Sequence, residues 1–256
     1  MAFDRLVIDV GNTRLKWGRI DLGGRIVDSF ATASNDDRGW QAAVDRLTAG
    51  SASVAAAIST VNPPAADRLG ALLEGAGVGP IRWFRSAADV PVPHRLDSPG
   101  QTGADRALSV LAALRLAGQE GPGIVVQCGT AITVERVDEG GCWLGGAIAI
   151  GPGLAARALH SGTAQLPGLP GLGPERAPAA WGSSTIPALE AGLFWGAVGA
   201  IRELLVRQRD GLGASPWVIW TGGDAPILGP WVSGESARVE PDLVLMGAAL
   251  AGFGAA

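Results

Sequence analysis

Two stretches of this chain repeat one pattern. LVIDVGNTRLKWGRI at residues 6–20 and IVVQCGTAITVERV at 124–137 each read as a strand, a glycine turn carrying a threonine, and a returning strand. Apolar alternation on both sides of a Gly-containing turn is the signature of a strand pair. Two long-period copies mark two related halves rather than a solenoid of short repeats.

The intervening segments fit such halves. Asp37–Leu47 has helical spacing, Val54–Ser59 is an apolar strand, and Pro63-Pro64 opens a helix running to about Leu73. Ser86–Gly103, with prolines at 91, 93 and 99, reads as a loop, and ADRALSVLAALRL at 104–116 as a helix apolar on most faces. After the second unit come the Gly-rich GGAIAIGPG, a Pro/Gly-rich loop from Pro167 to Pro178 and a long helix with Pro187 near its first turn. On that helix Ala188, Gly192, Gly196 and Ala200 recur at i, i+4, a strip that would admit close approach of another helix. Trp217–Thr221 is a last central strand ending in Gly222-Gly223-Asp224, and a closing helix spans Met246–Ala251. The division expected is an N-terminal lobe at 1–117 and a C-terminal lobe at 118–256.

With 256 residues and a formal net charge of -4, the chain can bury a large core but shows no basic stripe, which argues against nucleic acid as a partner. Two cysteines, Cys128 and Cys142, have neither metal-ligand spacing nor a histidine cluster beside them. This pattern fits a reducing cytoplasm rather than a disulfide framework. No run of 18 apolar residues free of charges or breakers occurs, so neither membrane spanning nor secretion is expected. His94 and His160, the only histidines, read as surface or packing residues, and the tryptophans as core or interface.

The chemistry concentrates in Asp9-Val10-Gly11-Asn12-Thr13-Arg14-Leu15-Lys16. A carboxylate leaving a strand can hold hydrated magnesium, Gly11 lets backbone amides approach phosphate oxygens, and Asn12, Thr13 and Lys16, the only lysine, add donors. It is neither a Walker A loop nor a dinucleotide fingerprint, because a strand and not a helix follows the turn. The competing reading is an ordinary hairpin with Asp and Asn chosen for turn geometry. The second glycine turn, at Gln127-Cys128-Gly129-Thr130, weighs against it.

Two such units and a strand ending in TGGDA resemble the acetate kinase, sugar kinase, Hsp70 and actin superfamily. That resemblance implies an α/β fold of two related ribonuclease H-like lobes, mixed sheets flanked by helices, with ATP in a cleft between them. Within the superfamily the chain resembles the type III pantothenate kinases along nearly its whole length. The matches, in order, are IDVGNTRLKWG (8–18), ISTVNP (58–63), GADR (103–106), CGTAITVE (128–135), LGGAI (144–148), TAQLP (163–167), TGGDA (221–225) and PDLVLMG (241–247).

The resemblance implies that Asp9 to Lys16 bind ATP phosphates, with Asp9 near magnesium, and that Gly129 and Thr130 contact the phosphates from the other half. Gly103, Ala104, Asp105 and Arg106 would hold pantothenate, Asp105 would accept the proton of its hydroxyl, and Thr185 would be a further substrate contact. A homodimer is implied as well. The sequence departs from the family at Gln127, where an aspartate usually serves a potassium or ammonium ion, and at Leu96, where a substrate-contacting tyrosine is common. Thr102 replaces a usual leucine, and Ile150-Gly151 and Pro152-Gly153 are alternative matches to the family's Pro-Gly. The departures leave two alternatives beside pantothenate phosphorylation: a nucleotide- or pantothenate-binding regulator, and a kinase of another small alcohol.

Overall fold

The computed structural model describes residues 4–21, 23–51, 53–118, 121–169, 171, 177–213, 215–234 and 237–254. Of the Pro/Gly-rich loop expected at 167–178, positions 170 and 172–176 lie outside the described residues. The chain divides into two compact units, one formed by 1–118 with 242–256, the other by 119–241.

In the first unit, strands β1 (Asp4–Val10), β2 (Arg14–Ile20), β3 (Ile26–Ala33), β4 (Val54–Thr60) and β5 (Ile81–Phe84) form a sheet of order β3-β2-β1-β4-β5. β1 is antiparallel to β2 and parallel to β4. Helix α1 (Asp37–Thr48) starts at Asp36, whose side chain accepts from the Gly39 N–H; α2 (Pro63–Gly75) starts at Asn62, which caps the Ala65 N–H. Each cap satisfies a donor that the first helical turn leaves open. Leu6, Ile8 and Val10 of β1 join Trp40, Val44, Leu69 and Leu73 in one buried cluster. Burial at roughly 25 cal/mol per Å2 of apolar surface makes this the main support of the unit.

In the second unit, β6 (Gly123–Cys128), β7 (Ala131–Val137), β8 (Trp143–Ile150), β9 (Trp217–Thr221) and β10 (Arg238–Val239) form a sheet of order β10-β9-β6-β7-β8. Taken from its other edge this is the order of the first sheet, with β6, β7, β8, β9 and β10 in the places of β1 to β5. The duplication expected from the two glycine turns therefore extends to whole sheets. Helix α5 (Thr185–Arg209) packs through Phe194, Val198, Ile201 and Leu205 on a cluster with Val126, Ile132 and Trp220.

Helices α3 (Ala104–Leu116) and α7 (Leu243–Phe253) cover the other face of the first sheet, and here the expected division needs correcting. Residues 242–254 group with the first unit and not with 119–241. Gly247 approaches α3 so closely that a Cβ there would stand 2.1 Å from the Leu108 carbonyl oxygen, and Gly18 of β2 lies against Leu245. Strands β3 and β8 and the helices α4 (Pro152–Ser161) and α6 (Ala225–Ser233) were not foreseen as elements. The strip Ala188, Gly192, Gly196 and Ala200 is exposed, and the glycines at 192 and 196 have open space where a side chain would be. Among the described residues no side chain stands over the glycines of the strip.

Candidate active site

In the first unit the site is built at the end of β1. Asp9 stands opposite Lys16 of β2 and opposite Ser59 of β4, so the three project from neighbouring strands on one face of the sheet. Leu6, Ile8 and Val10 occupy the opposite face, in the apolar core. Strand alternation thus puts Asp9 on the side covered by α3 and α7.

The turn after Asp9 is tied from both sides. Gly11 N–H donates to the Arg14 carbonyl oxygen at 3.1 Å, closing it. From β3's end, Ser34 N–H donates to the Thr13 oxygen at 3.0 Å and Ser34 Oγ to the Asn12 oxygen at 3.0 Å. Because a trans peptide sets C=O and N–H in opposite directions, fixing the Asn12 carbonyl on Ser34 aims the Thr13 N–H away from it. Asn62, the α2 cap, also reaches the turn, its Nδ2 donating to the Gly11 oxygen at 3.5 Å. Asn12, Thr13 and Arg14 are exposed. Val10 and Leu15 have no exposed side-chain surface, so only their main chain could meet a ligand.

Asp9 is electrostatically strained. Burial, reinforced by the charge of Asp105, raises its carboxyl to about 7, while Lys16 and the Ser59 hydroxyl pull the other way. Its Oδ1 is enclosed without a hydrogen-bond partner among the described residues. Asp105 opens α3 one residue after Ala104, and a Cβ on Gly103 would stand 2.5 Å from its Oδ1. Its carboxylate therefore folds back over the helix start, where the helix dipole favours negative charge. The carboxylates of Asp9 and Asp105 supply hard oxygen donors of the kind magnesium takes. Arg106 is half-buried beside Asp105. Leu96 lies half-buried in the loop before α3, its N–H donating to His94 Nδ1 at 3.3 Å.

In the second unit the turn Cys128–Thr130 is pressed between two glycines. A Cβ on Gly151 would fall 2.0 Å from the Gly129 carbonyl oxygen, and one on Gly222, whose φ is +96°, 2.1 Å from that of Cys128. Gly151 N–H donates to the Thr130 oxygen at 3.1 Å and Asp224 N–H to the Cys128 oxygen at 3.1 Å. Gly151 is thus the glycine the fold requires, with Pro152 opening α4 behind it. Burial, then the charge of Asp224, holds the Cys128 thiol protonated, far above the ordinary thiol range. Gln127 pairs in register with Thr133 and Thr221, offering only neutral oxygens to a cation. Thr185 is exposed at the first residue of α5.

The sequence motifs therefore gather Asp9, Lys16 and Asp105 in one unit and Gln127, Gly129 and Thr130 at the matching turn of the other. Ser59 and Asn62 fell within the ISTVNP match without a role of their own, and Ser34 had not been singled out; strand register sets Ser59 beside Asp9, and hydrogen bonds bring Ser34 to the turn.

A sequence model of the family described as type III pantothenate kinase matches residues 5–207. The chain belongs to the type III pantothenate kinase family. It is 35% identical over 257 residues to the type III pantothenate kinase of Acidiphilium cryptum, with 95% of this chain and 92% of that one covered. With the Gluconobacter oxydans protein of the same name it is 38% identical over 231 residues, covering 87% and 83%. In fold it is similar to the inorganic polyphosphate/ATP-glucomannokinase of Arthrobacter sp., with a TM-score of 0.53 at 16% identity, covering 97% and 98%. That likeness places this family member's two sheets in the sugar kinase and actin fold. No described helix is long and apolar enough to cross a membrane.

Proposed function

We propose that the chain transfers the γ-phosphoryl group of ATP to the primary hydroxyl of pantothenate, giving 4'-phosphopantothenate, the first step of coenzyme A synthesis. The observation that carries this reading is the convergence of Asp9, Lys16 and Asp105 at the end of β1, in a member of this family.

Phosphoryl transfer passes through a loose transition state, so positioning and charge do most of the work. Asp9 would hold magnesium through the ion's water shell, and the ion when bound supplies charge neutralisation at the phosphates. Lys16 and the Asn12–Thr13 turn bind phosphate oxygens, as do Gly129 and Thr130 of the second unit. Gly103–Arg106, Leu96 and Thr185 contact pantothenate. Asp105 aligns the hydroxyl and collects its proton, a task for which an ordinary carboxylate suffices when proton transfer is late.

The finer parts of the reading are a cytoplasmic homodimer and a weak or absent potassium or ammonium requirement. The exposed small-residue strip of α5 and the exposed Ile148, Ile150, Leu154 and Leu159 support a second copy as partner. Both thiols are free, as a reducing compartment keeps them. Gln127 supplies no charge to a monovalent ion.

The test is turnover of purified protein with ATP, magnesium and pantothenate, with and without potassium, beside Asp105→Asn. Turnover that falls by about a hundredfold or more in the variant is expected. ATP binding without turnover would replace the reading by a regulatory one, turnover only with other alcohols would replace the substrate, and strong activation by potassium would overturn the reading of Gln127.

A further inference from the structure

The second unit contains a cavity of about 570 Å3, lined by Arg202, Leu205, Val206 and Arg209 of α5, Val218 and Trp220 of β9, and the end of α6 with Ala237. It lies along β9 before the phosphate turn. Val218 and Trp220 pair with Ile124 and Val126, from which β6 runs four and two residues to Cys128, about 13 and 7 Å at the rise of a strand.

Its chemistry is one-sided. Arg202 and Arg209 are seven residues apart on α5, two turns along one helix face, with Leu205 and Val206 between them. No carboxylate is among its described lining side chains. Arg202 is anchored by donating to the Trp231 carbonyl oxygen, and the Arg209 guanidinium makes no hydrogen bond or ion pair among the described residues, only its main-chain oxygen accepting from Leu212 N–H. Below them, Trp220 is fully buried and its indole Nε1–H has no partner. A buried donor without an acceptor is costly and uncommon in a folded protein. The volume is that of a small-molecule pocket; apolar side chains line part of it, while its open surface is more polar than apolar.

We propose that this groove is a second ligand site, distinct from the phosphate turns, for a small molecule with an apolar body and an anionic end group. The anion pairs with Arg209 and Arg202, the apolar body lies on Val206, Val218 and Val232, and an acceptor atom can reach the Trp220 indole once the wall opens by a side-chain rotation.

Titration with phenyl phosphate, followed by the indole N–H resonance of Trp220 and assigned by its loss in Trp220→Phe, tests this. The expected result is a saturable shift with Kd below about 1 mM, the same with and without saturating MgATP. Arg209→Glu, at an exposed position, is expected to weaken it about tenfold or more. Arg207→Glu should leave it unchanged, since Arg207 pairs with Glu203 and does not line the cavity. A resonance that does not move, a shift equal in Arg209→Glu, or one abolished by MgATP would each overturn the proposal.

Discussion

Asp9 carries a cost that the fold accepts for the sake of its position. Its carboxyl titrates at about 7 when folded against 3.8 for the ordinary group, so between pH 4 and 7 the folded chain binds more protons than the unfolded one. Stability contributed by this residue therefore falls as pH rises through that window and is lowest above 7. At about 1.4 kcal/mol per unit, the penalty at pH 8 is up to about 4 kcal/mol. Asp9→Asn should raise the denaturation midpoint of the metal-free protein at pH 8 and change it little at pH 4, while phosphate transfer is lost. Equal midpoints for variant and parent at pH 8 would show that burial does not strain this carboxylate. Asp105 is the second contributor to that strain, which ties the proposed proton acceptor and the proposed magnesium ligand into one electrostatic unit.

At the scale of elements, each glycine turn works because other backbone packs against it. Gly151 shows the constraint most directly: the atoms a Cβ would meet are the main-chain oxygens of Gly129 and Thr130, which cannot rotate aside. Gly151→Ala should cost about 1–3 kcal/mol in the second unit through overpacking and displace the turn, so that ATP affinity measured calorimetrically falls with it. Retained affinity at full stability would mean that α4 can shift without disturbing the turn. The first turn has a different brace, since Ser34 and Asn62 hold it by hydrogen bonds from β3's end and the α2 cap. Two turns of like sequence pattern are thus held by unlike means, and only the strands in the motif were legible beforehand.

For the molecule as a whole, the path of the chain matters as much as its two sheets. The chain leaves the first unit at 118, builds the second, and returns at 242 to lay α7 on α3, β1 and β4. The contact of Gly247 with the Leu108 carbonyl oxygen joins that last helix to the helix that begins with Asp105. Removing residues 242–256 should therefore unfold the first unit and leave the second able to fold, seen as loss of one calorimetric transition with the other kept. Two intact transitions in the truncated chain would show that α7 is dispensable.

The sequence by itself determined the duplicated strand–turn–strand units, the boundaries of α3 and β9, and the family. These follow from local periodicity, glycine placement and ordered motifs, which need no partner far along the chain. Tertiary structure alone decided that Ser59 would stand beside Asp9, that Asp105 would bear on its charge, that Gly151 would close on the second turn, and that 242–254 would belong to the first unit. Each of these depends on strand register or helix packing between distant segments, and the free energy that selects them is burial over a whole unit rather than the preference of any short stretch.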